Sequence, residues 1–309
     1  MSIVNTKINY TYEILQRDIN NLKSKYEFLE VNTIGNSVLG KKLYCIKLGN
    51  GPNKVFYNAA HHALEWITTP LLMKFAETFC YAYSNNKTIK GYDINNIYNQ
   101  SSLYIVPMVN PDGIDLVING LNKNNPYYLD LIKWNKGNMD FSKNWSANIK
   151  GVDLNHNYDA SWHLSKTYEI KYGILGPGPT RFCGDYPESE PESRALANFT
   201  RKHNFELVLA YHSQGEVIYW NYNNLADERS KKIAQMLSKV SNYPLDETSG
   251  IASFGGFKDW FIEKYNKPGY TIEVGMGKNP LPLTQFNKIY NDNEELLILA
   301  SIATIKNYL

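Results

Sequence analysis

The chain has 309 residues, 43% of them hydrophobic, which is enough to bury a sizeable core. Lys and Arg number 32 against 30 Asp and Glu, so a formal net charge of +2 supplies no field for drawing in nucleic acid or an anionic membrane. A mean hydropathy of -0.43 and the lack of any apolar run long enough to cross a bilayer exclude a helical membrane-spanning protein.

Met1 to Tyr10 lacks the basic segment and apolar stretch of a secretory leader, so a cytoplasmic location is expected. Tyr12, Leu15, Ile19 and Leu22 recur at helical spacing and predict a helix over 10–26. Short β-rich stretches follow at 28–34, 43–48 and 54–58. Thr69-Pro70 then opens a helix with Leu71, Leu72, Phe75 and Phe79 as its apolar stripe, Thr69 as cap and Pro70 in the first turn. Buried-strand patterns recur at 102–106, 206–211 and 269–274. Ser189 with Glu192, and Asp292 with Glu295, read as capping boxes, the second ahead of Leu296, Leu299, Ile302 and Ile305. Strands alternating with helices give an α/β protein. Without repeats or Gly/Ser linkers, residues 1–309 read as one domain. The stretch 111–187 has little periodicity and many Asn, Gly and Trp residues, the composition of a segment that builds a site. Cys45, Cys80 and Cys183 are odd in number and widely spaced, which fits reduced thiols.

The chemistry starts where the strand 54–58 runs into His61-His62-Ala63-Leu64-Glu65. A His and a Glu three apart in a loop can converge on one cation, and imidazole nitrogen and carboxylate oxygen both suit zinc. His62 has that spacing to Glu65; His61 reads as structural. His212 ends the run Leu207-Val208-Leu209-Ala210-Tyr211 and would emerge at a carboxyl end of the sheet, where α/β proteins place their sites. Glu273 sits among apolar neighbours in Tyr270-Thr271-Ile272-Glu273-Val274, a place where a carboxylate needs a partner and a nearby cation would supply one.

The ordered segments HHALEWITTP, VPMVNPDGID, GVDLNHNYDA, SEPESRAL, AYHSQGEVIYW, SFGGFKDW and TIEVGMGKNPLP resemble the zinc carboxypeptidase family of the carboxypeptidase A type, most of all its bacterial γ-D-glutamyl-meso-diaminopimelate peptidase I branch. The resemblance runs from about residue 31 to the C-terminus. It implies a mixed, mainly parallel twisted sheet of about eight strands with helices on both faces. It implies one Zn2+ per chain on His62, Glu65 and His212, with Glu273 as general base and then general acid in amide hydrolysis. It also implies that Asn110-Pro111-Asp112-Gly113 is a structural turn, with Asp112 a candidate partner for the second ring nitrogen of His62.

Departures from the family pattern bear on substrate. The usual Asn-Arg clamp for a free C-terminus reads Asn155-His156 here, and the usual Tyr is Ile251. His156 could act only if protonated, and without the guanidinium fork. Lys258 stands at the specificity position, where an ammonium would favour an extra carboxylate on the residue after the cut. The cation that usually follows Trp to polarise the scissile carbonyl is replaced by Ser146, leaving Ser146, His156 and Lys143 as candidates for that place. The expected function is therefore zinc-dependent cleavage of the γ-D-glutamyl–meso-diaminopimelate bond in peptidoglycan-derived peptides, with no nucleic-acid or membrane partner and no separate wall-binding module. The alternatives are a carboxypeptidase for peptides with an acidic C-terminal residue, and a low-activity zinc-bound peptide-binding protein.

Overall fold

The computed structural model describes residues 2–248 and 254–305. Ile251 lies outside the described residues. The strands are β1 (Glu30–Asn36), β2 (Lys42–Leu48), β3 (Asn53–Ala59), β4 (Thr88–Ile89), β5 (Tyr92–Asp93), β6 (Ser101–Val106), β7 (Leu207–His212), β8 (Val217–Tyr219), β9 (Leu245–Asp246) and β10 (Gly269–Glu273). The helices are α1 (Tyr12–Lys25), α2 (Thr68–Ser84), α3 (Ile94–Gln100), α4 (Pro111–Asn119), α5 (Tyr128–Trp134), α6 (Trp162–Lys171), α7 (Pro191–Lys202), α8 (Glu228–Ser241), α9 (Phe257–Tyr265) and α10 (Phe286–Ile302).

Eight strands form one sheet in the order β1-β2-β6-β3-β7-β10-β8-β9, with β4 and β5 pairing apart. The four central strands β6, β3, β7 and β10 are parallel. β1 and β2 add antiparallel on one side, and β8 adds antiparallel on the other. Because side chains alternate across a strand, β7 serves two cores at once. Leu207, Leu209 and Tyr211 enter the layer shared with α2, α8 and α10, while Val208 and Ala210 enter the layer shared with α7 and α9. Helices on both faces explain why β7 is buried throughout. This is the mixed α/β architecture expected from the sequence.

Three helix starts differ from the expected ones. α2 begins at Thr68, whose hydroxyl donates to the Glu65 carbonyl at 2.7 Å. Thr69 is thus inside the helix rather than its cap, while Pro70 does lie in the first turn. α10 begins at Phe286, fed by the short 3₁₀ turn Leu283–Gln285, so Asp292 is a mid-helix residue paired with Lys288 at 2.8 Å and caps nothing. α7 starts on Pro191, and the Glu192 carboxylate turns away to accept the Val38 N–H at 3.1 Å. All three cysteines are free and buried, and no helix among the described residues is long and apolar enough to cross a membrane.

Candidate active site

Strand register builds the site. β3, β7 and β10 are adjacent and parallel, with Ala59 opposite Tyr211 and Glu273 opposite His212. The chain leaving β3 turns at once, through Ala60 at φ 60°, into His62 and the 3₁₀ turn Ala63–Glu65. All four side chains therefore collect at one carboxyl edge of the sheet. His62 Nδ1 lies 2.9 Å from Glu65 Oε1, and His212 Nδ1 lies 2.9 Å from Glu65 Oε2. The three donor atoms fall within 4.8 Å of one another. Two imidazoles and one carboxylate turned toward a common point fit zinc in its three-ligand, open form. Glu273 stands on the wall of the same cavity of about 500 Å³.

The electrostatics follow from this crowding. Burial pushes the Glu65 carboxyl up, but the charges and hydrogen bonds of His62 and His212 outweigh it and hold it near about 2. Burial opposes a charge on His62, yet Glu65 and Asp153 raise its pKa well above the ordinary value. Glu273 is raised well above the usual carboxylate range by burial and then by the Glu65 charge, with His62 pulling the other way. His61 faces elsewhere: its Nε2 meets the Tyr158 hydroxyl at 2.9 Å, and burial holds it neutral.

Asp153, not Asp112, meets the second nitrogen of His62, with Oδ1 3.0 Å from Nε2. Asp112 is instead occupied by the Leu39 N–H at 2.8 Å and the Lys41 ammonium at 3.3 Å, because α4 starts at Pro111 behind an Asn110 cap and points it toward the β1–β2 turn. Asn155 and His156 both line the cavity. Asn155 Oδ1 accepts the Phe257 N–H at 3.1 Å, fixing the start of α9. His156 Nδ1 donates to the Phe254 carbonyl at 2.8 Å, and burial lowers its pKa, so it carries no charge for a clamp at neutral pH. Gly255 allows this packing: at φ +74° a Cβ there would lie 2.3 Å from the His156 carbonyl oxygen.

Lys258 lines the cavity but is only 2% exposed. It donates to the Asn221 carbonyl at 2.7 Å and is ion-paired with Asp259, so it is not the free ammonium expected at the specificity position. Ser146 reaches the cavity, while Lys143 opens on a separate cleft with Trp66, Val117 and Pro282 and is removed from the candidates for the polarising place. Charged lining residues that the sequence reading does not reach include Asp153, Arg181, and the adjacent Asp246 and Glu247. Asp153 stands inside the GVDLNHN segment, but nothing local marks it as the partner of His62; the others sit in aperiodic or short elements that carry no signal.

Residues 15–296 match the zinc carboxypeptidase family. The chain is 43% identical over 290 residues to gamma-D-glutamyl-L-diamino acid endopeptidase 1 of Lysinibacillus sphaericus, an alignment covering 94% of this chain and 72% of that protein. It is 36% identical over 290 residues to YqgT of Bacillus subtilis, covering 93% of this chain and 76% of that one. In fold it is similar to the crystal structure of thrombin activatable fibrinolysis inhibitor, with a TM-score of 0.74 at 22% identity, covering 99% of this chain and 78% of the other.

Proposed function

The chain belongs to the zinc carboxypeptidase family of metallopeptidases, and from that membership we propose that it hydrolyses the γ-D-glutamyl–meso-diaminopimelate amide of peptidoglycan stem peptides. The observation that carries the proposal is the convergence of His62, Glu65 and His212 on one point, with Glu273 on the wall of the same cavity. In this reading His62, Glu65 and His212 hold one zinc per chain, and residues 1–309 work as a single catalytic unit on soluble peptides in the cytoplasm, where the three free thiols stay reduced.

Bound zinc supplies a Lewis acid that lowers the pKa of water and polarises a carbonyl oxygen. Glu273 takes the proton of the attacking water and delivers it to the leaving amine nitrogen. Its place on the cavity wall beside the candidate ligands suits both halves of that task, because one carboxylate there can reach the water and then the leaving nitrogen. Asp153 fixes the ring of His62 through Nε2, leaving Nδ1 turned toward Glu65.

For the substrate, the 43% identical relative is named for a γ-D-glutamyl-diamino acid bond. The cavity offers matching groups: Asp246 and Glu247 as acceptors for an ammonium, and Arg181 as a cation for a carboxylate. A carboxypeptidase for acidic C-terminal residues is less well supported, because Lys258 is already neutralised by Asp259. A zinc-holding binder without turnover has no use for Glu273. The test is incubation of the zinc-loaded protein with L-Ala-γ-D-Glu-meso-diaminopimelate, with products identified by mass. Release of L-Ala-D-Glu, abolished by chelation and restored by zinc, supports the proposal; an intact peptide refutes it.

A further inference from the structure

The basic groups on the cavity wall are unequal. His156 is neutral, and Lys258 is committed to Asp259 and the Asn221 carbonyl. Arg181 lines the same cavity, yet its Nη1 is buried with no hydrogen-bond partner among the described residues. A buried guanidinium donor left unmatched is costly unless an anion completes it, and a carboxylate fits its fork. The position is also held deliberately. Arg181 adopts φ 66°, a region disfavoured for residues with a side chain, and Asp153 Oδ2 secures it by accepting the Arg181 N–H at 2.8 Å and the Thr180 hydroxyl at 3.1 Å. The other oxygen of the same carboxylate is the one that meets His62. One buried aspartate thus ties Arg181 to the candidate metal centre.

We infer that Arg181 is the carboxylate-holding residue of this cavity, gripping a free carboxylate that flanks the scissile amide of the substrate. The inference rests on the peptidase reading above and names the cation that replaces the weakened Asn155-His156 clamp, supplied from a different segment. In a γ-D-glutamyl–diaminopimelate peptide that carboxylate has two sources: the α-carboxyl of D-Glu, or a carboxyl of diaminopimelate. Both present the same planar anion to the guanidinium.

The test compares wild type, Arg181→Gln and Arg181→Lys on L-Ala-γ-D-Glu-meso-diaminopimelate, on the peptide amidated at D-Glu, and on the peptide amidated at diaminopimelate. Arg181→Gln is expected to raise KM on the parent by about 10²-fold with a much smaller change in kcat. On one of the two amidated peptides it should add almost nothing, and that peptide identifies the source. Arg181→Lys, which keeps charge but not the fork, should fall between. An equal penalty on all three peptides, or a loss confined to kcat, would overturn the inference and make Arg181 a structural group or a carbonyl polariser. A second arm needs no turnover: titration of the parent and the fully amidated peptide into the metal-free chain, where wild type should prefer the parent by about tenfold or more and Arg181→Gln should lose the preference. Equal preference in both proteins overturns the inference. If wild type cleaves none of the peptides, the peptidase reading fails while this arm still decides Arg181.

Discussion

The two walls of the candidate site are built differently. On the wall that carries the candidate metal ligands, His62, Glu65, His212 and Glu273 sit at or just beyond the ends of β3, β7 and β10, so their separation is set by strand register. On the other wall, Asn155, His156 and Arg181 come from the aperiodic excursion between α4 and α7, and Lys258 from the first turn of α9. The first wall is positioned by the backbone ladder, the second by side-chain hydrogen bonds between loops. A site can thus keep its chemistry on the sheet while its selectivity changes in the loops.

The contrast is sharpest in the pair His212→Ala and Glu273→Gln. His212→Ala should lose zinc and fall to background activity, while Glu273→Gln should keep its zinc and lose about 10²- to 10⁴-fold in kcat; metal analysis alongside rates checks both. Retained zinc in His212→Ala would break the distinction between holding and reacting groups. Asp153→Asn addresses both walls together, since Asp153 touches His62 and the Arg181 N–H. Zinc affinity should weaken by about 10- to 100-fold in a competition titration, and KM should rise with it. A change in one without the other would show that the walls are uncoupled.

Lys258→Met tests the second wall alone. It leaves the Asp259 carboxylate buried without its cation, so the melting temperature should fall, and Asp259→Asn in the same chain should recover much of the loss. The effect on kcat should be small, because the pair is neutral as it stands; a loss matching that of Glu273→Gln would make Lys258 a reacting group.

The smallest expected effect on catalysis is at Glu192, which helps pin the excursion by meeting the Val38 N–H at 3.1 Å and Asn148 Nδ2 at 3.4 Å. Burial, with the Asp112 charge adding to it, raises its carboxyl to about 8. An acid whose folded pKa lies above its unfolded value of about 4.3 binds more protons when folded. The stability this contributes is fully present below about 4.3 and is lost as pH rises toward about 8. Glu192→Gln should flatten that decline in melting temperature between pH 5 and 9. Parallel curves for the two proteins would show that Glu192 does not titrate in this way.

Legibility in the sequence followed the same division. β-rich stretches and continuous apolar runs locate all six strands read from the sequence to within two residues, and the strand-end residues His212 and Glu273 fall with them. Helix starts were read less well, since Ser189 and Asp292 carry capping-box spacing that the preceding chain path overrides. Asp153 lay in plain view, but its partner His62 is 91 residues away, and no local rule distinguishes it from Asp112. Lys143 and Ser146 are near in sequence yet open on different clefts. Arg181 follows the Gly-Pro run 176–179, where periodicity is silent and only three-dimensional packing reveals a buried, unmatched donor.

The central claim is that one zinc, held by His62, Glu65 and His212, drives cleavage of the γ-D-glutamyl–diaminopimelate amide. It is tested most directly by adding zinc stepwise to the metal-free protein and following the initial rate of L-Ala-D-Glu release at each step. The rate should climb linearly and level off at one zinc per chain. A rate indifferent to zinc, or still rising through a second equivalent, would contradict the account.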